Sequence, residues 1–298
     1  IADLPAAMKI EQGGEVVAVA FMANAQHIMV RQDVLDTLGM DVPGTYADVL
    51  AVADAMKASG LMEYPLTGTY KAGWNLAEEF VNMFQATGES MFTDGANPNV
   101  NNDAGMATLA MMAELSSRMN PDYLTFDSNA VQAQFEAGDA AMANLWGSRA
   151  AAVSAGAEAL GGSITHASAP TLGDGSTPAS TLWWDGFFFA ANQSDDDLAR
   201  SVAVALESAD ADMLAKDDNA TAAVWLIDGY APTAAAAGVF ATAGGGANAY
   251  PMVPHMGAMH TALGNEIVEF LQGSESAEQA LADVEAAYVA AATEAGFL

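Results

Sequence analysis

Residues 128–146 read SNAVQAQFEAGDAAMANLW, and they carry a helix, a glycine stop and a strand in direct succession. The first part predicts a short helix ending at Gly138, a residue suited to the left-handed turn that closes helices. AAMANLW, residues 140–146, then reads as a short buried strand. GSRAAAVSAGAEAL follows at once and predicts a second helix that starts where the strand stops. Helix, strand and helix in so few residues point to an α/β fold.

The same alternation continues in both directions. EVVAVAFMANAQHIMV (15–30) is apolar and valine-rich, and it predicts one or two strands. VPGTYADVLAVADAMKASG gives a turn, then a capping box at Thr45 and Asp48, an apolar stripe at Val49, Val52, Ala53 and Met56, and a stop at Gly60. Further helices are expected at 75–87, with Leu76, Phe80, Met83 and Phe84 on one face, and at 103–118. GSITHASAP predicts another strand and TLWWDGFFFAAN (181–192) a further one. NQSDDDLARSVAVALESA predicts a helix whose three aspartates occupy the positive end of its dipole and whose Leu198, Val202 and Leu206 face inward. Helices at 219–228, 255–271 and 277–294 complete the chain, and no internal repeat is visible.

Composition narrows the function classes. The chain has 298 residues, 52% of them hydrophobic, which fits a folded chain of one large or two smaller domains. No apolar run reaches the roughly 18–20 residues that span a bilayer. Eight Lys and Arg against 38 Asp and Glu give a net charge of −30, a field that repels phosphate backbones and argues against a nucleic-acid partner. Cysteine is absent, which removes disulfides and thiolate chemistry. The acids do not cluster with histidine, so neither a transition-metal site nor a cofactor is expected. No nucleophile elbow, Walker loop or H-E-x-x-H motif is present.

Four places are candidate ligand contacts. Trp146 ends a strand and precedes Gly147, Ser148 and Arg149 at a helix start, where a ring can stack on a sugar and backbone amides can donate; it serves equally well as core filler. Trp183, Trp184 and Asp185 combine aromatic faces with an acceptor-only carboxylate. Strand alternation puts Trp183 and Asp185 on one side and Trp184 on the other, so one tryptophan is structural. Trp74 and Asn75 open a helix after a glycine-bracketed loop, a position that also suits a hydrophobic staple. His260 lies on the apolar face of its helix, where a satisfied core histidine is the plain reading and ligand contact the alternative.

In this order the segments resemble family 1 extracellular solute-binding proteins of ABC importers, the maltose-binding-protein-like group. The resemblance rests on GGEVVAVAFMANAQHIMVRQDVLDTLGMDVPGTYADVLAVADAM, VQAQFEAGDAAMANLWGSRAA, ASAPTLGDGSTPASTLWWDGFFFAAN and YPMVPHMGAMHTALGNEIVEFLQGSESAEQALADV, and covers residue 13 to the end. It implies two α/β lobes of the class II binding-protein type, here without the N-terminal part of lobe one. Lobe one with its hinge strands would take residues 1–23 and 184–240, and lobe two residues 24–183 and 241–298. The implied cleft residues are Asn24, Trp74, Asn75, Trp146, Arg149, Trp183, Trp184, Asp185 and His260. The resemblance further implies a monomer, periplasmic or tethered outside the cell, that passes a sugar or polyol to a membrane permease without covalent chemistry. Two rivals stay open: a carbohydrate-active hydrolase using Asp185, and a binding protein for an acidic solute held by Arg149.

Overall fold

The structure is a computed structural model and describes residues 4–298; the first three residues of the expected 1–23 segment lie outside it. Its spine is a single strand, β2 (Glu15–Arg31), 17 residues long where about five or six is usual. The valine-rich segment is therefore one strand, long enough to serve two cores. β1 (Lys9–Gln12) pairs antiparallel with its first part. β7 (Thr181–Phe187) pairs antiparallel along its middle, from Val19 to Ala25. β5 (Met142–Trp146) and β6 (Ile164–Ala167) pair antiparallel with its last part. Two short strands finish the sheet: β8 (Val224–Trp225) on Met22 and Ala23, and β9 (Asn248–Ala249), parallel to the start of β7. A separate hairpin joins β3 (Phe92–Thr93) to β4 (Asn97–Pro98).

Strand register sorts the tryptophans. Asn24 stands opposite Trp183, and Gln26 opposite Trp146. Residues two apart share a face of a strand, so both tryptophans project from the same side of the sheet. Trp184 stands opposite Ala23 and projects from the other side.

Helices begin and end where local chemistry dictates. α1 (Gln32–Leu38) stops at Gly39 in the left-handed region, and α5 (Ser128–Ala137) at Gly138, also left-handed. α2 (Tyr46–Ala58) carries the expected capping box: Thr45 Oγ1 accepts from the Asp48 amide, and the Asp48 carboxylate accepts from the Thr45 amide. Both partners satisfy amides that the helix leaves unpaired. Thr45→Ala should therefore cost about 1 kcal/mol of stability, measured by denaturant unfolding, whereas Thr45→Ser should cost little. α3 (Trp74–Ala86), α4 (Asp103–Ser116), α6 (Ala150–Ala159), α11 (Met256–Glu266), α12 (Val268–Leu271) and α13 (Ala277–Glu294) lie within two residues of the expected limits, apart from a later start at α6 and a break at Ile267.

Two expectations are corrected. The helix expected at 219–228 is only α9 (Asn219–Ala222), after which the chain extends into β8 because β2 offers a free stretch at Met22 and Ala23. The second concerns α7 (Asp195–Glu207), which forms as expected with Ser194 as its cap. Its expected inward face is not buried: Leu198 is 39% exposed and Ala205 is the helix's one buried residue. Amphipathic spacing makes the helix, but burial depends on what the rest of the fold lays against it.

The main core packs α2, α3, α4, α11 and α13 around Ile28, Phe80, Phe84, Leu263 and Tyr288. A smaller core lies at the other end of β2, around Met8, Val19, Leu214 and Ile227, beside the four-residue α8 (Ala211–Leu214). α10 (Ala237–Gly244) runs across the expected boundary at 240 and packs on β2 and β6. Gly238 is required there, since a β-carbon would sit 2.1 Å from His27 Nδ1.

Candidate functional site

Trp74 owes its position to two glycines. Gly73 precedes α3 with φ +93° and ψ −135°, a conformation that L side chains rarely adopt. Its amide donates to the Gly264 carbonyl at 2.9 Å, which fixes the start of α3 against α11. The approach is close enough that a β-carbon on Gly264 would lie 2.3 Å from the Gly73 oxygen. This contact carries Trp74 to His260, four residues before Gly264, with ring centroids 5.0 Å apart.

Around that pair the sheet contributes two more tryptophans. The Trp74 ring lies 6.3 Å from Trp146 and 5.7 Å from Trp183, and those two are 6.1 Å apart at nearly right angles. Tyr250 adds a fifth ring, 4.2 Å from Trp183 and 5.8 Å from His260. Residues distant in sequence thus form one aromatic wall. Trp74 is its exposed edge, with 49% of its surface open, and His260 its buried back, at 4%.

Polar atoms behind the wall lock the rings. The His260 Nε2–H donates to the Trp74 carbonyl at 2.9 Å, so Nδ1 is the acceptor and takes the Tyr250 hydroxyl proton at 2.8 Å. Burial lowers the His260 pKa and keeps the ring neutral. Trp74 is the first residue of α3, not the residue before its cap that a staple uses, and the plain core reading fits His260, which is satisfied by holding the tryptophan.

Glu78, buried on α3, accepts from the Trp183 indole at 3.0 Å and from the Thr181 hydroxyl at 2.6 Å. Burial pushes its pKa up to about 8, since no cation accompanies it into the core, so the carboxyl is mostly protonated at neutral pH. Glu79, the next residue, accepts from Gln26 Nε2 at 2.9 Å and from the Thr69 hydroxyl, and burial pushes it to about 7. Gln26 accepts from Asn144 Nδ2 in turn.

The other predicted residues divide around this wall. Asn24 and Ser148 hold each other: Asn24 Nδ2 donates to Ser148 Oγ at 3.2 Å, and the Ser148 amide donates back at 3.3 Å. The bond ties the middle of β2 to the turn after Trp146, beside the wall. Asn75 follows Trp74 and is half-buried. Asp185 shares the Trp183 side of β7 and is exposed, and partial burial raises its carboxyl above the usual range. Arg149 turns to α5, where its guanidinium donates to Gln132 Oε1 at 3.2 Å. Trp184 packs against Phe188, 5.8 Å away on the opposite face. Among the described residues no group of three or more His, Cys, Asp or Glu could hold a metal.

The family model for bacterial extracellular solute-binding proteins matches residues 3–213. The chain belongs to this family. None of the curated proteins matches it. Among solved structures, a solute-binding protein of an ABC transporter from Agrobacterium radiobacter, in complex with ribitol, superposes with a TM-score of 0.78 at 20% identity, covering 96% of this chain and 74% of that one. One from Agrobacterium vitis with bound D-mannitol gives 0.77 at 19% identity, over 99% and 78%. The maltose-bound T. maritima protein MalE3 gives 0.75 at 16% identity, over 96% and 76%. These likenesses establish the two-lobe binding-protein fold.

As a solute-binding protein, the chain holds two wall components that its sequence does not announce. Tyr250 sits in AYPMVPH, a loop with no periodicity to interpret. Glu78 and Glu79 form an acidic pair in a helix, which normally marks the solvated side. α3 instead is buried from Leu76 to Phe84 without a break, because neighbours pack against it on every side.

Proposed function

We propose that this solute-binding protein captures a neutral carbohydrate or polyol and delivers it to the permease of an ABC importer. The carrying observation is the wall of Trp74, Trp146, Trp183, Tyr250 and His260, held by neutral hydrogen-bonding groups. Such rings cover the C–H faces of a sugar or polyol, while Asn24, Asn75 and the Asp185 carboxylate are placed to meet hydroxyls. Ribitol, mannitol and maltose in the similar structures are ligands of this class. An acidic solute fits less well, since the back of the wall is made of indole, phenol and neutral imidazole groups and Arg149 directs one guanidinium nitrogen to Gln132 on α5. Trp184 is structural in this reading.

The protein works as a monomer outside the cytoplasm, in the periplasm or tethered to the outer face of a membrane; no helix of the described residues is long and apolar enough to cross one. Lobe one takes the chain up to residue 23 and returns at 184. Its second segment runs to about residue 240, within α10, which packs on β2. Ligand between the lobes stabilises the closed form and undergoes no covalent chemistry.

A thermal-shift screen with ribitol, D-mannitol, maltose and a panel of sugars, polyols and sugar acids tests this. At one hundred times its dissociation constant, a true ligand adds about 2.7 kcal/mol of stability. It should be recovered intact; cleaved product would make the protein a hydrolase, and a response confined to sugar acids would favour the anion reading. Trp74→Ala should weaken the ligand roughly 10- to 100-fold by titration calorimetry, from lost stacking. Its stability should change by less than about 1 kcal/mol, because the ring is half exposed.

A further inference from the structure

Beside α3 the main core contains a small cavity of about 20 Å³, lined by residues of α2, β5, α3 and the segment 66–70. Four buried oxygens belong to residues that line it: Thr67 Oγ1, Tyr70 Oη and Asn144 Oδ1, which have no protein partner, and Tyr46 Oη, whose one neighbour is the Asn144 side chain. Their residues are between 1% and 8% exposed, so bulk water does not serve them. Leaving one buried polar group unpaired costs about 1–3 kcal/mol, and three around one space make an empty or apolar filling very unfavourable.

We infer that this cavity is a binding site for one ordered water molecule, held by Tyr46, Thr67, Tyr70 and Asn144. The volume admits one: about 10–15 Å³ suffices for a single water, and there is no room for a second or for an organic ligand. The chemistry also matches. Asn144 Oδ1 only accepts, whereas the three hydroxyls either donate or accept, so a water can donate to Asn144 and one hydroxyl while accepting from the other two. Four partners is the upper end of what buried waters make.

The position gives the site a role. Asn144 donates to Gln26, and Gln26 donates to Glu79 on α3. Thr67 and Tyr70 belong to the loop that leads into Gly73 and Trp74. The water thus joins β5 and α2 to the loop carrying the exposed edge of the aromatic wall. The inference does not depend on which solute the protein binds.

A high-resolution crystal structure tests it. One density peak should lie about 2.6–3.2 Å from at least three of the four oxygens. The rival arrangement is a direct bond from Tyr46 to Asn144, whose side chains are neighbours. That bond in a cavity without density would overturn the inference. In solution, magnetic relaxation dispersion should count one fewer long-lived water in Tyr46→Phe/Tyr70→Phe than in wild type. An unchanged count in the folded variant would also overturn it. Should the double variant not fold, the wild-type density decides alone.

Discussion

Gly264→Ala should destabilise the protein by about 2–4 kcal/mol and dismantle the aromatic wall. The new methyl would lie 2.3 Å from the Gly73 carbonyl oxygen and 2.6 Å from its carbon, and both are backbone atoms that cannot swing aside as a side chain would. Overpacking of this kind typically costs about 1–3 kcal/mol, and the Gly73–Gly264 hydrogen bond, worth about 1 kcal/mol, would be lost with it. Relief would come by moving the first turn of α3 away from α11, which separates Trp74 from His260. Urea unfolding gives the stability, and near-UV circular dichroism reports the tryptophan packing. Gly257→Ala in the same helix is the control, because nothing lies within 4 Å of its added methyl. It should be neutral or stabilising by up to about 1 kcal/mol. Equal losses from the two substitutions would mean that helix-wide effects, not the Gly73 contact, set the cost.

Stability should form a plateau between about pH 4.5 and 6.5 and fall on both sides. Four groups without an opposite charge beside them produce it, three of them buried and His166 half-buried. Glu78 and Glu79 are raised from 4.5 to about 8 and about 7, so their contribution is complete below pH 4.5 and is lost as pH rises through those values. His27 and His166 move the opposite way. Burial lowers them from 6.5 to about 3 and about 4, so their contribution is complete above pH 6.5 and is lost as pH falls. Between pH 4.5 and 6.5 two groups lose and two gain as pH rises, and the slopes cancel. Above the plateau only the carboxyls remain, at about 1.4 kcal/mol per pH unit for each, which amounts to about 3 kcal/mol by pH 8. Denaturant unfolding across this range measures the curve. Glu78→Gln/Glu79→Gln should flatten the alkaline limb and extend the acid limb up to about pH 6.5, because the histidine slope is then unopposed. An alkaline limb just as steep in that variant would falsify the assignment to these two acids.

The protonation of Glu78 also bears on the site. Ionised, the carboxyl would be a buried charge against Trp183 and beneath Tyr250, whose own ionisation it opposes. Neutral, it is an acceptor that fixes the indole edge without presenting a field to the ligand. An uncharged back wall suits a neutral solute.

Much of the framework was legible along the chain. Thr45 and Asp48 announced the start of α2, Gly138 the end of α5, and the apolar run after it the strand β5. Alternation also placed Trp183 and Trp184 on opposite faces, and the register agrees, with Trp183 in the wall and Trp184 against Phe188. The exceptions share one feature. The expected helix at 219–228 yields to strand pairing with β2, and the apolar face of α7 stays half exposed. Both depend on partners far along the chain.

By itself the sequence determined the α/β class, most helix limits and which side of β7 each tryptophan occupies. Those properties arise from interactions between residues four or fewer apart: caps, left-handed glycines and the two-residue repeat of a strand. Tertiary structure alone decided that the valine-rich segment is one continuous spine, that Trp74, Trp146, Trp183, Tyr250 and His260 meet, that Arg149 turns aside to Gln132, and that two adjacent glutamates are buried with their pKa values raised. The reason is physical. Ring contacts, backbone approach at Gly264 and desolvation of a carboxyl depend on which distant segments pack together, and no local period along the chain encodes that distance.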